Sequence, residues 1–177
     1  LMQMDVGLDT GDMLVTEKIA IQADETAASL HDRLAELGGT MMKRYLDDLL
    51  QQRFEPVPQD DDLSTYAPMI SKDDGRLDWS HTAAELDRQI RAMTPWPGAF
   101  AYWDGQLLKV LQASPINDSK LTDKLLGEVV EYDNKAVVAA AEGSGLILEQ
   151  IQLAGKRATS AADFLRGRPQ FIGAQLV

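Results

Sequence analysis

The spacing of apolar and polar positions divides the chain into helix-spaced and strand-length segments. Leu30, Leu34, Leu37, Met41, Tyr45 and Leu49 recur every three to four residues, the spacing of one buried helix face. Asp24 or Thr26 can cap that helix, and Gly38-Gly39 in its middle marks a weak point or a close packing. Before it, Met2–Met4 and Met13–Ile21 read as strands, with a Gly- and Asp-rich loop over Asp5–Asp12 between them. A second helix follows at Leu86, Ile90 and Met93, spaced i, i+4 and i+7, with Thr82 and Glu85 as a capping box at its start. Pro95 stops this helix, and Trp96-Pro97-Gly98 turns the chain.

Five apolar segments follow, at Ala99–Trp103, Leu107–Gln112, Gly127–Tyr132, Ala136–Ala141 and Leu146–Leu153. Between them lie the turn signals Asp104-Gly105, Asp133-Asn134-Lys135 and Glu142-Gly143-Ser144-Gly145. Ser114–Lys124 reads as a polar loop and the most mobile part of this half. Ser160 and Asp163 cap a last helix, Ala161–Arg166, which Gly167 ends. The pattern predicts an α+β chain: a strand pair and helix over residues 1–54, a connector over 55–70, and a helix with a small five-stranded barrel over 71–177. Barrel closure is expected because it removes exposed strand edges. The opening strand has no earlier element to pair with. We therefore expect the natural protein to begin upstream, and the unfinished edge at Met2–Met4 and Met13–Ile21 to promote self-association. Trp79, Trp96 and Trp103 each sit among apolar residues and are expected in the core.

Composition narrows the function. The 177 residues carry a net charge of −11, which argues against an indiscriminate nucleic-acid binder. The acidity is uneven, with 5 Lys and Arg against 14 Asp and Glu over residues 1–70, but 12 against 14 over 71–177. Only the second half can carry a basic surface. The chain has no cysteine, so it has no disulfide frame, thiol nucleophile or thiolate metal site, which fits a cytoplasmic protein. No apolar run approaches the roughly 20 residues that span a bilayer, so no membrane partner is expected.

Candidate chemistry lies in two places. Asp5, Asp9 and Asp12 share a loop in which carboxylates ordinarily cap amides. A calcium site fits poorly because the spacing lacks the closing bidentate Glu, and no metal is expected. Gly155-Lys156-Arg157 sets two adjacent cations on a flexible turn, either solvated or in contact with a phosphate. His31 and His81 read as surface or capping residues.

Three separated segments carry a family resemblance. They are Met2–Met13 (MQMDVGLDTGDM), Asp74–Trp79 (DGRLDW) with Ile90–Phe100 (IRAMTPWPGAF), and Gln152–Arg168 (QLAGKRATSAADFLRGR). In register over nearly the whole chain, they resemble the C-terminal part of the methionyl-tRNA formyltransferase family. The resemblance implies the end of an α/β formyltransferase domain followed by an OB-like barrel. It also implies formyl transfer from 10-formyltetrahydrofolate to the amino group of initiator methionyl-tRNA. Asp9 matches the catalytic aspartate of that family's L-D-x-G segment, and Asp5, Val6, Gly7 and Leu8 match its pterin-pocket lining. Lys72, Arg91, Lys156 and Arg157 become candidate tRNA contacts; the alternative for Lys72 is an ordinary solvated lysine. The family's Asn-x-His motif has no counterpart among Asn117, Asn134, His31 and His81, so the chain alone is expected to be inactive. The rival readings are a related folate-dependent enzyme, such as a sugar-nucleotide formyltransferase, a stand-alone nucleic-acid-binding barrel, and a purely structural module.

Overall fold

A computed structural model describes the chain from Leu1 to Val177, in two compact units, Leu1–Met69 and Ile70–Val177. The first is built on helix α1, Ala27–Leu50. Thr26 caps it through a capping box closed by Ser29, whose hydroxyl accepts from the Thr26 amide at 3.0 Å. Of the six expected apolar positions only Met41 is fully buried. A Cβ added at Gly38 or Gly39 would meet nothing within 4 Å, so close packing does not explain the glycine pair.

The predicted strand pair shrinks to single bridges, Met2 with Met13 and Met13 with Val57. Residues 15–22 form no strand. The reason lies in the partner. Met13 exchanges both backbone hydrogen bonds with Val57, at 2.8 and 2.9 Å, and Val57 is flanked by Pro56 and Pro58. Met13 thus directs its amide and carbonyl to the connector, while Pro56 and Pro58 stand at the non-hydrogen-bonded positions of this pair, their ring nitrogens turned away from it. Part of the connector is thereby tied into the first unit.

The second unit packs helix α2, Ala83–Ala92, on an antiparallel sheet. Its strands are β1 Ala99–Trp103, β2 Gln106–Asn117, β3 Val129–Tyr132, β4 Lys135–Ala139, β5 Ser144–Leu153 and β6 Thr159–Ser160. The order is β1-β2-β5-β4-β3, with β6 added to β5. Asp104-Gly105 and Asp133-Asn134 make two-residue hairpin turns, all four residues at positive φ. Helix α3, Ala161–Gly167, follows β6 and is capped by Ser160.

Three expectations need correction here. The ladder is open, because β1 and β3 end it without pairing, and a closed five-stranded barrel is not formed. Residues 173–177 instead bond both ends: Val177 exchanges backbone bonds with Tyr102, while Gly173, Ala174 and Leu176 bond Val129 and Gly127. Next, the polar loop begins later than expected, since β2 runs through Ser114 and Pro115 to Asn117 against β5. Beyond Val110, β2 has lost β1 as a neighbour, so Pro115 sits where a missing amide hydrogen breaks no ladder on that side. Last, Trp79 and Trp103 are buried but Trp96 is 57% exposed. The turn packs through its backbone and Pro97, since a Cβ on Gly75 would fall 2.2 Å from the Gly98 carbonyl oxygen and 3.3 Å from Pro97 Cγ.

The core lies between α2, α3 and the sheet. Leu86 and Ile90 of α2 are buried with Leu108, Val110 and Ile151. Trp103, Phe164 and Phe171 pack edge to face with centroids 5.1–5.5 Å apart, a favoured aromatic geometry. Ser144, also buried, accepts from the Ala83 amide at 2.8 Å and donates to the Ala141 carbonyl at 2.6 Å. One hydroxyl thus ties the start of α2 to β5.

Candidate functional site: an aspartate loop and a basic depression

The aspartate loop belongs to the first unit. Asp5 organises it locally: one carboxylate oxygen accepts from the Val6 amide at 2.7 Å and the other from the Thr10 hydroxyl at 3.1 Å. Its far side is held by Gln59, whose amide donates to the carbonyls of Asp9 and Gly11, each at 2.8 Å. Gly11 is required by contact, because a Cβ there would lie 1.8 Å from the Gln3 carbonyl oxygen. Asp9 takes a left-handed conformation, φ 56°, which Asp tolerates better than most residues. Its carbonyl is fixed by Gln59 and the residue is exposed. Met4, Val6 and Leu8 stand in solvent beside it, with Val6 wholly exposed. The loop therefore presents one carboxylate and three apolar side chains on a tethered backbone. Gln59 was not visible in the sequence as a site residue, because it lies 50 positions away in a stretch that reads as a connector.

The second unit carries the cations. Lys156 and Arg157 follow Gly155, which turns the chain at φ 71° with open space around it. Gln152 holds this turn by donating to the Lys156 carbonyl at 2.8 Å. The two cations line a depression of about 240 Å³, together with Leu153, Thr159, Asp163, Phe164 and Arg168. Arg168 stacks over the Phe164 ring at 4.8 Å. Sequence reasoning had not made Arg168 a site residue. The available signal was the i, i+4 spacing of Phe164 and Arg168 around α3.

Lys72 and Arg91 are placed differently. Lys72 is exposed and opens the short turn Asp73–Gly75. Gln89 holds that turn, donating to the carbonyls of Asp74 and Arg76 at 2.9 and 3.0 Å. Arg91 is half-buried and pairs through Nε with Asp87 at 3.1 Å. His31 and His81 are surface residues, as expected: His31 lies beside Asp32, and His81 Nδ1 is 3.2 Å from the Asp78 carbonyl oxygen. No group of three or more His, Asp or Glu side chains converges as a metal-binding set.

Comparison with known proteins follows this division. Residues 69–169 match the family model described as formyl transferase, C-terminal domain, and residues 1–46 match that described as formyl transferase. Curated relatives named methionyl-tRNA formyltransferase include those of Myxococcus xanthus, 45% identical over 99% of this chain, and Gluconobacter oxydans, 43% identical over 100%. That of Citrifermentans bemidjiense is 42% identical over 94% of this chain. The chain spans about half the length of these relatives, 51–56%. Among solved structures, HypX from Aquifex aeolicus in complex with tetrahydrofolic acid matches 93% of this chain and 29% of its own, at TM-score 0.63 and 18% identity. WlaRD, a sugar 3N-formyl transferase, matches 88% of this chain and 54% of its own, at TM-score 0.62 and 19% identity. These structures share the fold. With more than half of its residues matched by the C-terminal-domain model and its first 46 by the formyl transferase model, the chain belongs to the formyltransferase family.

Proposed function

We propose that the chain is part of an enzyme that transfers a formyl group from 10-formyltetrahydrofolate to the amino group of initiator methionyl-tRNA in the cytoplasm. The observation that carries this reading is the 42–45% identity, over nearly the whole chain, to relatives of that name. The aspartate loop supplies one catalytic group, Asp9. In the reaction the substrate amine attacks the formyl carbon, and an oxyanion forms. A proton then has to pass from the amine to the departing folate nitrogen. A fixed carboxylate assists by holding a charged histidine or by ordering the water that relays the proton. Asp5, Val6, Gly7 and Leu8 offer backbone polar groups beside exposed apolar side chains, a surface suited to a flat, amide-rich pterin. The 177 residues contain no Asn-x-His motif, and by themselves they are proposed to be inactive. Lys156 and Arg157, with Lys72 and the Asp87-held Arg91, are the proposed tRNA contacts.

The test is formylation of methionyl-tRNA by the full-length protein and its Asp9→Asn variant. The amide keeps the size of the side chain and removes its charge, so we expect the rate to fall about a hundredfold or more, with tRNA binding unchanged. A variant with full activity would remove Asp9 from the mechanism. A full-length protein that formylates a sugar nucleotide and ignores tRNA would overturn the substrate.

A further inference from the structure

We propose that Gln59 is the positioning residue of the aspartate loop: its clasp on the carbonyls of Asp9 and Gly11 holds the backbone that carries the Asp9 carboxylate. The inference rests on the catalytic reading of Asp9 above and deepens it with a residue that lies outside the loop. Asp9 stands at φ 56°, where a residue other than glycine is strained unless its surroundings hold it. The bonds within the loop run from Asp5, to the Val6 amide and the Thr10 hydroxyl, and pass Asp9 by. Asp9 is exposed, and its hydrogen bond is the one its carbonyl accepts from Gln59 at 2.8 Å.

One amide nitrogen serves both carbonyls. Its two hydrogens go to Asp9 and to Gly11, each at 2.8 Å. Carbonyls two residues apart that share one nitrogen fix the arc of chain between them, and the Asp9 side chain leaves from one end of that arc. Both partners are acceptors, so only the nitrogen end of the Gln59 amide fits there. Gln59 is in turn held from both sides along its own chain. Val57 exchanges two backbone bonds with Met13, and Asp60 caps the short turn Asp61–Leu63 by accepting from the Asp62 amide at 3.1 Å. An uncharged donor suits a place so near a working carboxylate. A cation there would favour the charged form of Asp9 and lower its basicity, and a carboxylate would repel both carbonyls.

In the full-length protein, Gln59→Ala should lower kcat for formylation about tenfold to a hundredfold, the cost of a displaced reacting group, while KM for tRNA holds. Gln59→Glu tests the hydrogen bonds themselves. Ionised, the new side chain has no donor; protonated, it has one. Its kcat relative to wild type should therefore rise as pH falls from about 8 to about 5, while the ratio for Gln59→Ala stays flat. Hydrogen exchange read by mass spectrometry should quicken over Asp5–Asp12 in Gln59→Ala and stay unchanged over Ala27–Leu50. Unchanged kcat in Gln59→Ala, or a flat ratio in Gln59→Glu, would overturn the proposal. So would a fall in kcat accompanied by faster exchange throughout α1, which would mean that the whole unit had loosened. Asp9→Asn separates the two readings. If it keeps full activity, the catalytic role of Asp9 falls and the proposal with it. If it is impaired while Gln59→Ala is not, the proposal alone falls.

Discussion

At Thr82 and Glu85 one helical turn satisfies its own free amides. The Glu85 carboxylate accepts from the Thr82 amide at 2.8 Å and from the Thr82 hydroxyl at 2.7 Å, while that hydroxyl accepts from the Glu85 amide. The hydroxyl bond first, and the amide bond next, hold the Glu85 carboxyl below its ordinary value of 4.5. A carboxyl depressed in the folded state stabilises that state fully above its unfolded value, and the contribution is lost as pH falls through the folded value. Acid denaturation of the second unit should therefore include a component below pH 4.5 that Glu85→Gln removes. Urea midpoints at pH 3, 4, 5 and 7 measure it; parallel curves for both proteins would exclude the effect. This box is legible in the sequence because its two residues stand three apart. The Ser144 hydroxyl that clamps the same helix start is not, since its partner Ala83 is 61 positions away. Asp9 and Lys156 were legible as parts of motifs. Gln59 and Arg168, which place or join them, depend on tertiary proximity.

At the scale of elements, α1 shows how a correct period can overstate packing. Its spacing predicts the helix, and of the two candidate caps, Asp24 and Thr26, the threonine is the one used, but one face position alone, Met41, is fully buried. Gly38 and Gly39 lie mid-helix in open space. Glycine there costs about 1 kcal/mol each relative to alanine, through backbone freedom lost on folding. Gly38→Ala and Gly39→Ala should each stabilise the helix by about that amount, seen as a higher urea midpoint of the helical circular dichroism signal. A loss in either would mean that the helix must stay weak or be approached closely there. The strands repeat the lesson in both directions. Hairpin turns at Asp104-Gly105 and Asp133-Asn134 are local chemistry, and they fall where the residues put them. The Met2–Met4 and Met13–Ile21 pair shrank to one bridge, with Met13 taking its backbone partner from Val57, far along the chain.

Across the whole molecule, burial is unequal. Among apolar side chains of the first unit only Met41 is fully buried, whereas the second unit holds the continuous core. All three tryptophans lie in the second unit, so their fluorescence follows its unfolding alone. The strand count suggested a barrel that closes on itself; the strand ladder stays open, and a segment too short and too irregular to read as a strand bonds both of its ends. Gly173–Val177 bonds β3 on one side and β1 on the other, and Leu176 inserts with 1% of its surface exposed. Gly127 fits beneath it without a side chain, since a Cβ there would lie 2.5 Å from the Leu176 carbonyl oxygen and 2.8 Å from Trp79 Cδ1. The tail is thus part of the core it covers. Leu176→Ala should destabilise the second unit by about 2–5 kcal/mol, the range for a leucine removed from a closed interior. Deleting Gly173–Val177 should destabilise it further, because the backbone bonds to Tyr102, Gly127 and Val129 go as well. Tryptophan fluorescence during urea denaturation measures both. A cost for Leu176→Ala below about 1 kcal/mol would mean that the site can collapse around the smaller side chain. A deletion no worse than the point change would mean that water replaces those backbone bonds at no cost, and the sheet would then be stable as an open one.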